Sequence, residues 1–392
     1  MTIAAYIKDS LSAASWIRKM FEAGAALKAQ HGADRVFDFS LGNPNLPPPE
    51  PFRTALAEVA ADPGLDHAYM PNSGYAETRR AVAGQVSVEQ QTALSAEEII
   101  MTCGAAGGLN VVLKALLNPG ETVVVPAPFF VEYRFYAENH GGRLVTAPCR
   151  ADFDLDLAAL ESDITDQTRA VIINSPNNPT GAVYPAATLE ALGPLLTDKS
   201  REFDRTIYLV ADEPYRKIVY DTVAVPPVFT AYTDSLVVNS YSKDLSLPGE
   251  RIGFVAVNPA AAAKEELLAA MTFANRVLGF VNAPALMQRV VARIQGSQVD
   301  LAAYTRKRKL LCEVLADCGY DFVRPAGAFY LFPRSPLADD VAFVQKLQES
   351  LILAVPGSGF GGPGYFRLSY CVDDTTIVNA ADGFKTALAA VS

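Results

Sequence analysis

The sequence predicts an α/β protein with an open sheet of mostly parallel strands, covered by helices on both faces. Short apolar runs rich in β-branched residues alternate with longer helix-compatible stretches, which is the pattern of buried parallel strands joined by helices. The seven runs are 99–101, 122–125, 143–146, 170–173, 207–210, 236–238 and 252–257. A chain of 392 residues also exceeds one ordinary domain, so a smaller second domain is expected.

The segments before and after the sheet predict that this smaller α+β domain is made from both chain ends. A helix-like stretch, 14–27, precedes the proline run that begins at Pro47. Residues 282–315 look helical, and 322–332 and 353–369 look like short strands with Gly and Pro turns. The predicted divisions are an N-terminal segment 1–46 that packs with the small domain, a large domain 47–285 and a small C-terminal domain 286–392.

Composition excludes several classes of function. Half of the residues are hydrophobic and 19% are charged, as in globular proteins. The net charge of -10, without a Lys and Arg cluster, argues against nucleic-acid binding. Five scattered cysteines indicate reduced thiols and a cytoplasmic location, and three histidines without ligand-like spacing predict no metal site. No apolar run has membrane-spanning length, so no membrane contact is expected.

Polar residues follow four of the seven runs, where each predicted strand ends. Ligands of open α/β sheets bind outside the carboxyl ends of the strands, so these residues are expected to meet in one crevice. The four stretches are TCGAAGG from Thr102, NSPNNPTG from Asn174, DEPY from Asp212 and SYSK from Ser240.

Lys243 lies between two strand-like runs, in the stretch NSYSKDLSLPGERIG. A lone lysine there would ordinarily face solvent. Ser240, Ser242 and Arg251 nearby favour another role, because a desolvated amine close to a second cation loses its proton more easily than a free lysine, whose pKa is about 10.4. Such an amine forms a Schiff base with an aldehyde, and Arg251 with Ser240 would hold a phosphate.

Asp212 ends an apolar strand, where an unpaired carboxylate is costly to bury. One interpretation is a helix N-cap, which is common for Asp after a strand. The other is an anion beneath a protonated ring nitrogen, an arrangement that makes a pyridine ring a strong electron sink. Tyr215 would then donate its hydroxyl to the same ring.

Two glycine clusters have different interpretations. Gly104–Gly108 precedes a predicted helix, 109–116, whose N-terminal N–H groups would bind phosphate, although many such turns are Gly-rich. Gly357–Gly362 matches the string G-x-G-x-x-G, but Pro363 follows where a helix is required, so nicotinamide binding is excluded. That loop leads to Arg367, either a solvent-facing strand residue or a bidentate clamp for a carboxylate at an inter-domain crevice.

Together these stretches resemble the class I/II aminotransferases of the aspartate aminotransferase superfamily, the fold-type I enzymes that depend on pyridoxal 5'-phosphate. The resemblance runs from Gly42 to Arg367 and rests on the ordered series SPNNPTG, ADEPY, SYSKDLSLPGERIG and YFRLSY. It implies the pyridoxal-phosphate-dependent transferase fold, with residues 47–285 as the cofactor-binding domain. It also implies ping-pong transfer of an amino group from an L-amino acid to a 2-oxo acid.

The resemblance assigns residues to the cofactor ring. Lys243 would be the Schiff-base lysine and proton shuttle, and Asp212 would pair with the ring nitrogen. Tyr215 and Asn178 would hydrogen-bond the 3-oxygen of the ring. Phe130, in PAPFF, would stack on the ring where relatives often carry Tyr or Trp.

Other residues are assigned to the cofactor phosphate and the substrate. Ser240, Arg251 and the backbone of Gly104, Ala105 and Ala106 would hold the phosphate, and Ser242 is counted with the cofactor-binding residues. Tyr69 would reach the phosphate of a neighbouring subunit, which implies a homodimer. The substrate-binding residues would be Arg367, which grips the α-carboxylate, with the Gly42 backbone and Asn178 beside it.

The side chain of the substrate is left open. Arg276 lies near the position of the family's second, cross-subunit arginine, but its context FANRVLGF does not align, so we expect no dedicated clamp there. The amphipathic stretch ASWIRKMFEAG, with Trp16, Ile17, Met20 and Phe21, either packs on the small domain or closes as a lid over an apolar or aromatic substrate.

Two other functions share this residue set. C-S β-lyases use the same catalytic residues, because the cofactor carries the chemistry and the pocket selects the bond. Some transcription regulators contain an aminotransferase-like domain, but the N-terminal segment before SLGNP shows no helix-turn-helix pattern.

Overall fold

The computed structural model describes residues 3–4, 6–8 and 16–391, with the backbone alone for residues 16–22. Its strands include all seven predicted runs, at β2 to β8. In chain order they are β1 Phe37–Asp38, β2 Ile99–Thr102, β3 Thr122–Ala127, β4 Arg143–Pro148, β5 Thr168–Asn174, β6 Tyr208–Asp212, β7 Ser235–Ser240, β8 Gly253–Val257, β9 Tyr330–Leu331, β10 Ile352–Leu353, β11 Val355–Pro356 and β12 Phe366–Ser369.

Helices occupy most of the connections between these strands. The α-helices are α1 Trp16–His31, α2 Glu50–Ala61, α3 Ala76–Glu89, α4 Gly104–Leu116, α5 Glu132–Asn139, α6 Leu157–Asp163, α7 Ala186–Glu202, α8 Lys264–Val277, α9 Ala285–Arg293, α10 Leu301–Cys318, α11 Asp340–Glu349, α12 Asp374–Asn379 and α13 Ala381–Ala389. Within the described residues, no helix combines the length and the apolar character needed to cross a membrane.

The chain divides into two compact units. The larger unit contains residues 44–301 and 326–328, and the smaller contains the described residues up to 43 together with 302–325 and 329 onward. The predicted division differs from this one chiefly at residues 286–301. There α9 packs against α2 and α3, because Met287, Val290 and Val291 belong to the apolar cluster beneath those helices, so these residues cluster with the larger unit.

The larger unit is built on a seven-stranded sheet in the order β2-β8-β7-β6-β5-β3-β4. β8 is antiparallel to both of its neighbours, and the other pairings are parallel. The prediction of a mostly parallel sheet is therefore confirmed. Successive side chains of a strand point to opposite faces, so Val124 joins one apolar cluster while Val123 and Val125 join the other.

Helices cover both faces of this sheet, as predicted. One apolar cluster includes residues of α2, α3, α7 and α9, such as Phe52, Val82 and Leu189. The other includes residues of α4, α5 and α8, such as Val112 and Met271. Because both faces are buried, the polar side chains that bear on function lie at the strand ends.

The smaller unit contains two short sheets. β1 pairs in parallel with β10, and β12 lies between β11 and β9 in antiparallel pairing. The predicted strand 322–332 is reduced to β9, because residues 326–328 bond instead to the larger unit, where Ala328 N donates to Ile218 O. The short strands predicted within 353–369 include β11 and β12, separated by a 3-10 helix, Gly357–Phe360, and the excluded dinucleotide string is not followed by an α-helix. The stretch 282–315, predicted to be helical, contains α9 and most of α10.

Candidate active site

Strand register brings the predicted polar stretches of the larger unit to one edge of the sheet. Asn174 pairs with Asp212 across β5 and β6, and Asp212 pairs with Val238 across β6 and β7. Ser240 and Thr102 both pair with Gly253, the first residue of β8. Since β2, β5, β6 and β7 run in one direction, their carboxyl ends share this edge.

Asp212 is 5% exposed at the end of β6. A turn rather than a helix follows it, so the N-cap interpretation does not apply. Tyr133 Oη donates to Asp212 Oδ2 at 2.5 Å, whereas Oδ1 is buried without a hydrogen-bond partner among the described residues. Burial raises the pKa of Asp212 to about 7, while the Tyr133 hydrogen bond lowers it and the charge of Glu213 raises it. This carboxyl group therefore changes protonation near neutral pH.

A second buried carboxyl group follows immediately, and the sequence reasoning did not single it out. Glu213 Oε1 accepts from Arg216 Nη1 at 2.9 Å, and Glu213 Oε2 accepts from Gln90 Nε2 at 3.1 Å. Burial raises the pKa of Glu213 to about 7, although Arg216 lowers it. The three-residue spacing of Glu213 and Arg216 was the available signal. This pair is structural, since both Glu213 oxygens already have partners.

Lys243 lies in the turn that follows β7, and its side chain is partly buried. Its Nζ is 5.9 Å from the ring centroid of Tyr215, which is itself buried. The neighbouring Asp244 is 5% exposed and lies 3.4 Å from Lys217 Nζ. Burial raises the pKa of Asp244 to about 6, and Lys217 lowers it. The structure therefore places the predicted lysine beside the predicted tyrosine, with a paired carboxylate next to it in the turn.

The start of α4 forms a cradle for an anion. The helix begins at Gly104, five residues before the predicted start, so Gly104, Ala105 and Ala106 form its first turn. N–H groups of a first turn have no intrahelical partner and attract anions. Gly104 has φ +71°, and a Cβ there would lie 3.0 Å from Arg251 Nη2. The glycine thus lets the guanidinium approach the helix N-terminus.

Arg251 is held in this position by its own backbone. It adopts φ +52°, a left-handed conformation that costs a non-glycine residue on the order of 1 kcal/mol, and its Nη1 donates to Pro248 O at 2.9 Å. Two residues later, a Cβ on Gly253 would lie 2.5 Å from Asn239 O and 2.8 Å from Gly104 C. Gly253 therefore permits the close approach of β7, β8 and the start of α4.

The remaining predicted cofactor residues of the larger unit differ in exposure. Ser240, Ser242 and Asn178 are buried, and Asn178 N donates to Asn174 Oδ1 at 2.7 Å. Phe130 is partly buried and packs edge-on against Tyr133, with ring centroids 5.5 Å apart. Tyr69 is 91% exposed.

Tyr133 is a site residue that the sequence reasoning missed. It lies three residues after Phe130 and in the first turn of α5, a spacing that places it near the predicted stacking residue. That spacing was the only signal in the sequence, and it does not reveal the contact with Asp212, which is 79 residues away along the chain.

The two predicted substrate-binding residues of the smaller unit lie close to one residue of β9. Arg367 is 2% exposed, its Nη2 donates to Ser40 O at 2.7 Å, and its Cζ lies 4.6 Å from the ring centroids of both Tyr330 and Phe360. A Cβ on Gly42 would collide with the Tyr330 hydroxyl. Arg367 is therefore a buried cation rather than a solvent-facing strand residue.

Two further hypotheses concerned the substrate side chain, one at Arg276 and one at the N-terminal segment. Arg276 lies in the last turn of α8, is exposed, and has its Cζ 5.1 Å from the Phe273 ring centroid. The proposed lid residues Trp16, Ile17, Met20 and Phe21 lie outside the described side chains, although the helix backbone at these positions is described as part of α1.

The sequence matches the family of aminotransferases of class I and II over residues 34–384. It is 32% identical to the aspartate/prephenate aminotransferase of Thermus thermophilus over 92% of both chains. It is 31% identical to aromatic-amino-acid aminotransferase 2 of Thermococcus litoralis over 95% of each. A crystal structure of an aminotransferase from Eubacterium rectale superposes over 100% of both chains, with a TM-score of 0.96 and 41% identity.

Proposed function

The chain belongs to the class I and II aminotransferases and transfers amino groups from L-amino acids to 2-oxo acids, and we propose that pyridoxal 5'-phosphate, held at the sheet edge described above, is its cofactor. Members of this family generally use that cofactor. The observation that carries the proposal is the buried Asp212 carboxylate, whose Oδ1 has no hydrogen-bond partner among the described residues. A protonated pyridine nitrogen is the donor that this oxygen lacks.

The anion cradle fits the phosphate group of the same cofactor. The first turn of α4 offers backbone N–H groups, Arg251 supplies a guanidinium beside Gly104, and Ser240 pairs with Gly253 next to them. Phosphate binding at a helix N-terminus combined with an arginine is a recurrent arrangement. The residues present therefore fit both ends of the cofactor.

Each residue then has a role in the reaction. When bound, pyridoxal phosphate supplies an electrophilic carbon and an electron-withdrawing ring. Lys243 Nζ would act as the general base and acid that removes the α-proton of the amino acid and delivers a proton to the carbon of the cofactor aldehyde, while Asp212 would hold the proton on the ring nitrogen. Tyr215 and Asn178 would hydrogen-bond the 3-oxygen of the cofactor ring, and Phe130 would stack on that ring. Arg367 and the Gly42 backbone bind the α-carboxylate of the substrate.

The order of substrates follows from this single set of groups. The amino donor leaves as a 2-oxo acid before the second 2-oxo acid enters, so initial-rate plots at varied concentrations of both substrates give the parallel lines of ping-pong kinetics. A β-lyase would instead release ammonia and pyruvate without any amino acceptor. The names of the relatives favour transamination.

A spectroscopic experiment tests the cofactor. We expect the protein with pyridoxal phosphate to show an absorption band in the visible region, and this band to bleach when a substrate amino acid is added. Lys243→Ala should remove the band and abolish turnover, because no amine then bonds the cofactor aldehyde. Lys264→Ala is the control, since Lys264 pairs with Glu98 elsewhere in the larger unit.

Two results of this experiment would refute the proposal. A wild-type protein that stays colourless with excess pyridoxal phosphate would refute the cofactor, as would normal turnover in Lys243→Ala. The set of amino acids that bleach the band identifies the donor class. Aspartate, the donor in the name of the Thermus thermophilus relative, and aromatic amino acids, named for the Thermococcus litoralis relative, are the first to compare.

We also propose a homodimer in which Tyr69 reaches the neighbouring subunit. Its side chain is 91% exposed, and Phe273 and Val277 on α8 are 57% and 50% exposed. Large exposed apolar side chains are typical of surfaces that another chain covers. Sedimentation at micromolar concentration should give twice the mass of 42.0 kDa.

For the location of the protein we propose the cytoplasm. The five free cysteines among the described residues favour it, because thiols stay reduced there.

A further inference from the structure

In the described part of the chain, the Tyr133 hydroxyl donates the one hydrogen bond that the Asp212 carboxylate accepts. Oδ2 accepts this bond at 2.5 Å, and Oδ1 is left for another donor. Building on the proposed cofactor, we propose that Tyr133 is a positioning residue that keeps Asp212 ionised and turns Oδ1 toward the ring nitrogen. Nothing in the family resemblance assigned Tyr133 a role.

The surroundings of Tyr133 hold its hydroxyl in one place. Its side chain is 1% exposed, within the apolar cluster that also contains Val210 and Val238. Its ring meets the Phe130 ring edge-on at 87°. One short segment thus carries both the aromatic face predicted for the cofactor ring and the donor for Asp212. A buried phenol in a packed cluster has little freedom to release the carboxylate.

Tyr133 acts as a donor across the working pH range. Burial, followed by the charge and hydrogen bond of Asp212, raises the pKa of Tyr133 well above its ordinary value. The phenol therefore stays protonated, and its hydrogen bond stabilises the charged form of the carboxyl group. Without it, burial and the neighbouring Glu213 would both favour neutral Asp212, which cannot pair with a pyridinium.

Few other titratable groups act on this pair. Glu213 lies next to Asp212 on the same strand, Tyr136 lies one turn further along α5, and Tyr215 lies in the turn after β6. Two cations lie near these tyrosines: Lys243 Nζ is 5.9 Å from the Tyr215 ring centroid, and the charge of Arg251 acts on Tyr136. The Tyr133 hydroxyl is the group that donates to the carboxylate. Replacing the hydroxyl of Tyr133 is therefore a specific test.

Tyr133→Phe removes one oxygen and keeps the ring. We expect the affinity of the cofactor-free chain for pyridoxal phosphate to fall on the order of tenfold at pH 7, the size expected for a lost hydrogen bond to a charged group. The loss should shrink toward pH 9, because Asp212 then ionises without help. Cofactor binding is measured by equilibrium titration of the visible band between pH 6.5 and 9.

Tyr136→Phe is the matched control, since this tyrosine lies on the same helix and has no recorded hydrogen bond to Asp212. It should bind the cofactor like the wild type at every pH. Wild-type affinity in Tyr133→Phe would overturn the inference and leave the cofactor proposal standing. A loss of equal size from pH 6.5 to 9 would also overturn it, because it would indicate a packing defect. A wild type that binds no pyridoxal phosphate would overturn both.

Discussion

Asp212 in the larger unit and Arg367 in the smaller unit are both buried charged residues, but the fold stabilises them in different ways. Among the described residues, the Asp212 carboxylate accepts one hydrogen bond, from Tyr133, and burial raises its pKa to about 7. Arg367 donates to a backbone carbonyl and lies 4.6 Å from two aromatic rings. A carboxyl group can escape the cost of burial by protonation, whereas a guanidinium cannot. The protonation state of Asp212 can therefore change, whereas the Arg367 guanidinium keeps its charge and is surrounded by fixed partners.

The supports behind the two charges differ as well. The carbonyl that Arg367 contacts belongs to Ser40, whose N and Oγ donate to Asp38 Oδ1 at 3.2 and 2.6 Å. Asp38 Oδ2 in turn accepts from Lys28 Nζ at 2.9 Å. A chain of polar contacts thus reinforces the arginine, while in the described part of the chain the Asp212 carboxylate accepts only from the Tyr133 hydroxyl. Changes at the two positions should consequently have different signatures.

The largest effect is expected for Asp212→Asn. An amide could not hold the proton on the ring nitrogen of the proposed cofactor, so kcat/KM should fall about 10²- to 10³-fold, the range found when one electrostatic contribution to a transition state is removed. Steady-state kinetics measure this loss. Glu213→Gln is the neighbouring control, and it should instead lower stability by about 1–3 kcal/mol, because its carboxylate is paired with Arg216. Equal loss of activity in both variants would contradict the comparison.

The same Asp212→Asn variant reports on the pKa of the acid through stability. The folded pKa of about 7 exceeds the ordinary value of 3.8, so the folded chain binds more protons between these values. Stability contributed by Asp212 is therefore present below about pH 4 and lost as pH rises to 7. In urea unfolding at pH 8 without added cofactor, the free energy of unfolding of the variant should exceed that of the wild type by at most about 4 kcal/mol. No difference would mean that Asp212 titrates normally.

A smaller effect is expected for Arg367→Lys. A lysine offers a point charge where the guanidinium offers two parallel donors, so KM for the amino donor should rise about 10- to 100-fold while cofactor binding is unchanged. Arg334→Lys is the matched control, because Arg334 lies 5.4 Å from the Tyr365 ring centroid in the same unit but is exposed. Its KM should stay within about twofold of the wild-type value. A fall in kcat alone in Arg367→Lys would argue against carboxylate binding.

The smallest effect is expected for Arg276→Ala. This guanidinium is exposed and lies over Phe273, an arrangement typical of a surface contact. Turnover of aspartate relative to an apolar amino acid should change less than about twofold. Parallel assays with the two donors measure the ratio. A selective loss of aspartate turnover would show instead that Arg276 binds the second carboxylate.

Local patterns in the sequence were sufficient where the structure depends on near neighbours. The seven apolar runs correspond to the seven strands of the large sheet. A strand that is buried on both faces needs apolar side chains at nearly every position, and this shows as a continuous apolar run in the sequence. Helix ends were harder to predict. Gly104 opens α4 although glycine is a poor helix former, since the position also requires a positive φ and room for Arg251.

The boundary of the units and the ends of the small strands depended on partners far along the chain. Residues 286–301 look like any amphipathic helix, and only packing of α9 on α2 and α3 decides their unit. Residues 326–328 have strand-like neighbours, but their backbone bonds to the segment around Ile218, more than a hundred residues earlier. The spacing of residues along the chain does not predict such long-range contacts.

By itself, the sequence determined the sheet, the family and the order of the polar stretches at the strand ends, because each of these depends on residues that are contiguous in the chain. The tertiary structure determined the protonation and the hydrogen-bond partners of those residues. Asp212 could be recognised from ADEPY, but its raised pKa and its bond to Tyr133 exist only because β6 and α5 pack together. Charge in a protein depends on burial and on partners brought from a distance, and both arise only on folding.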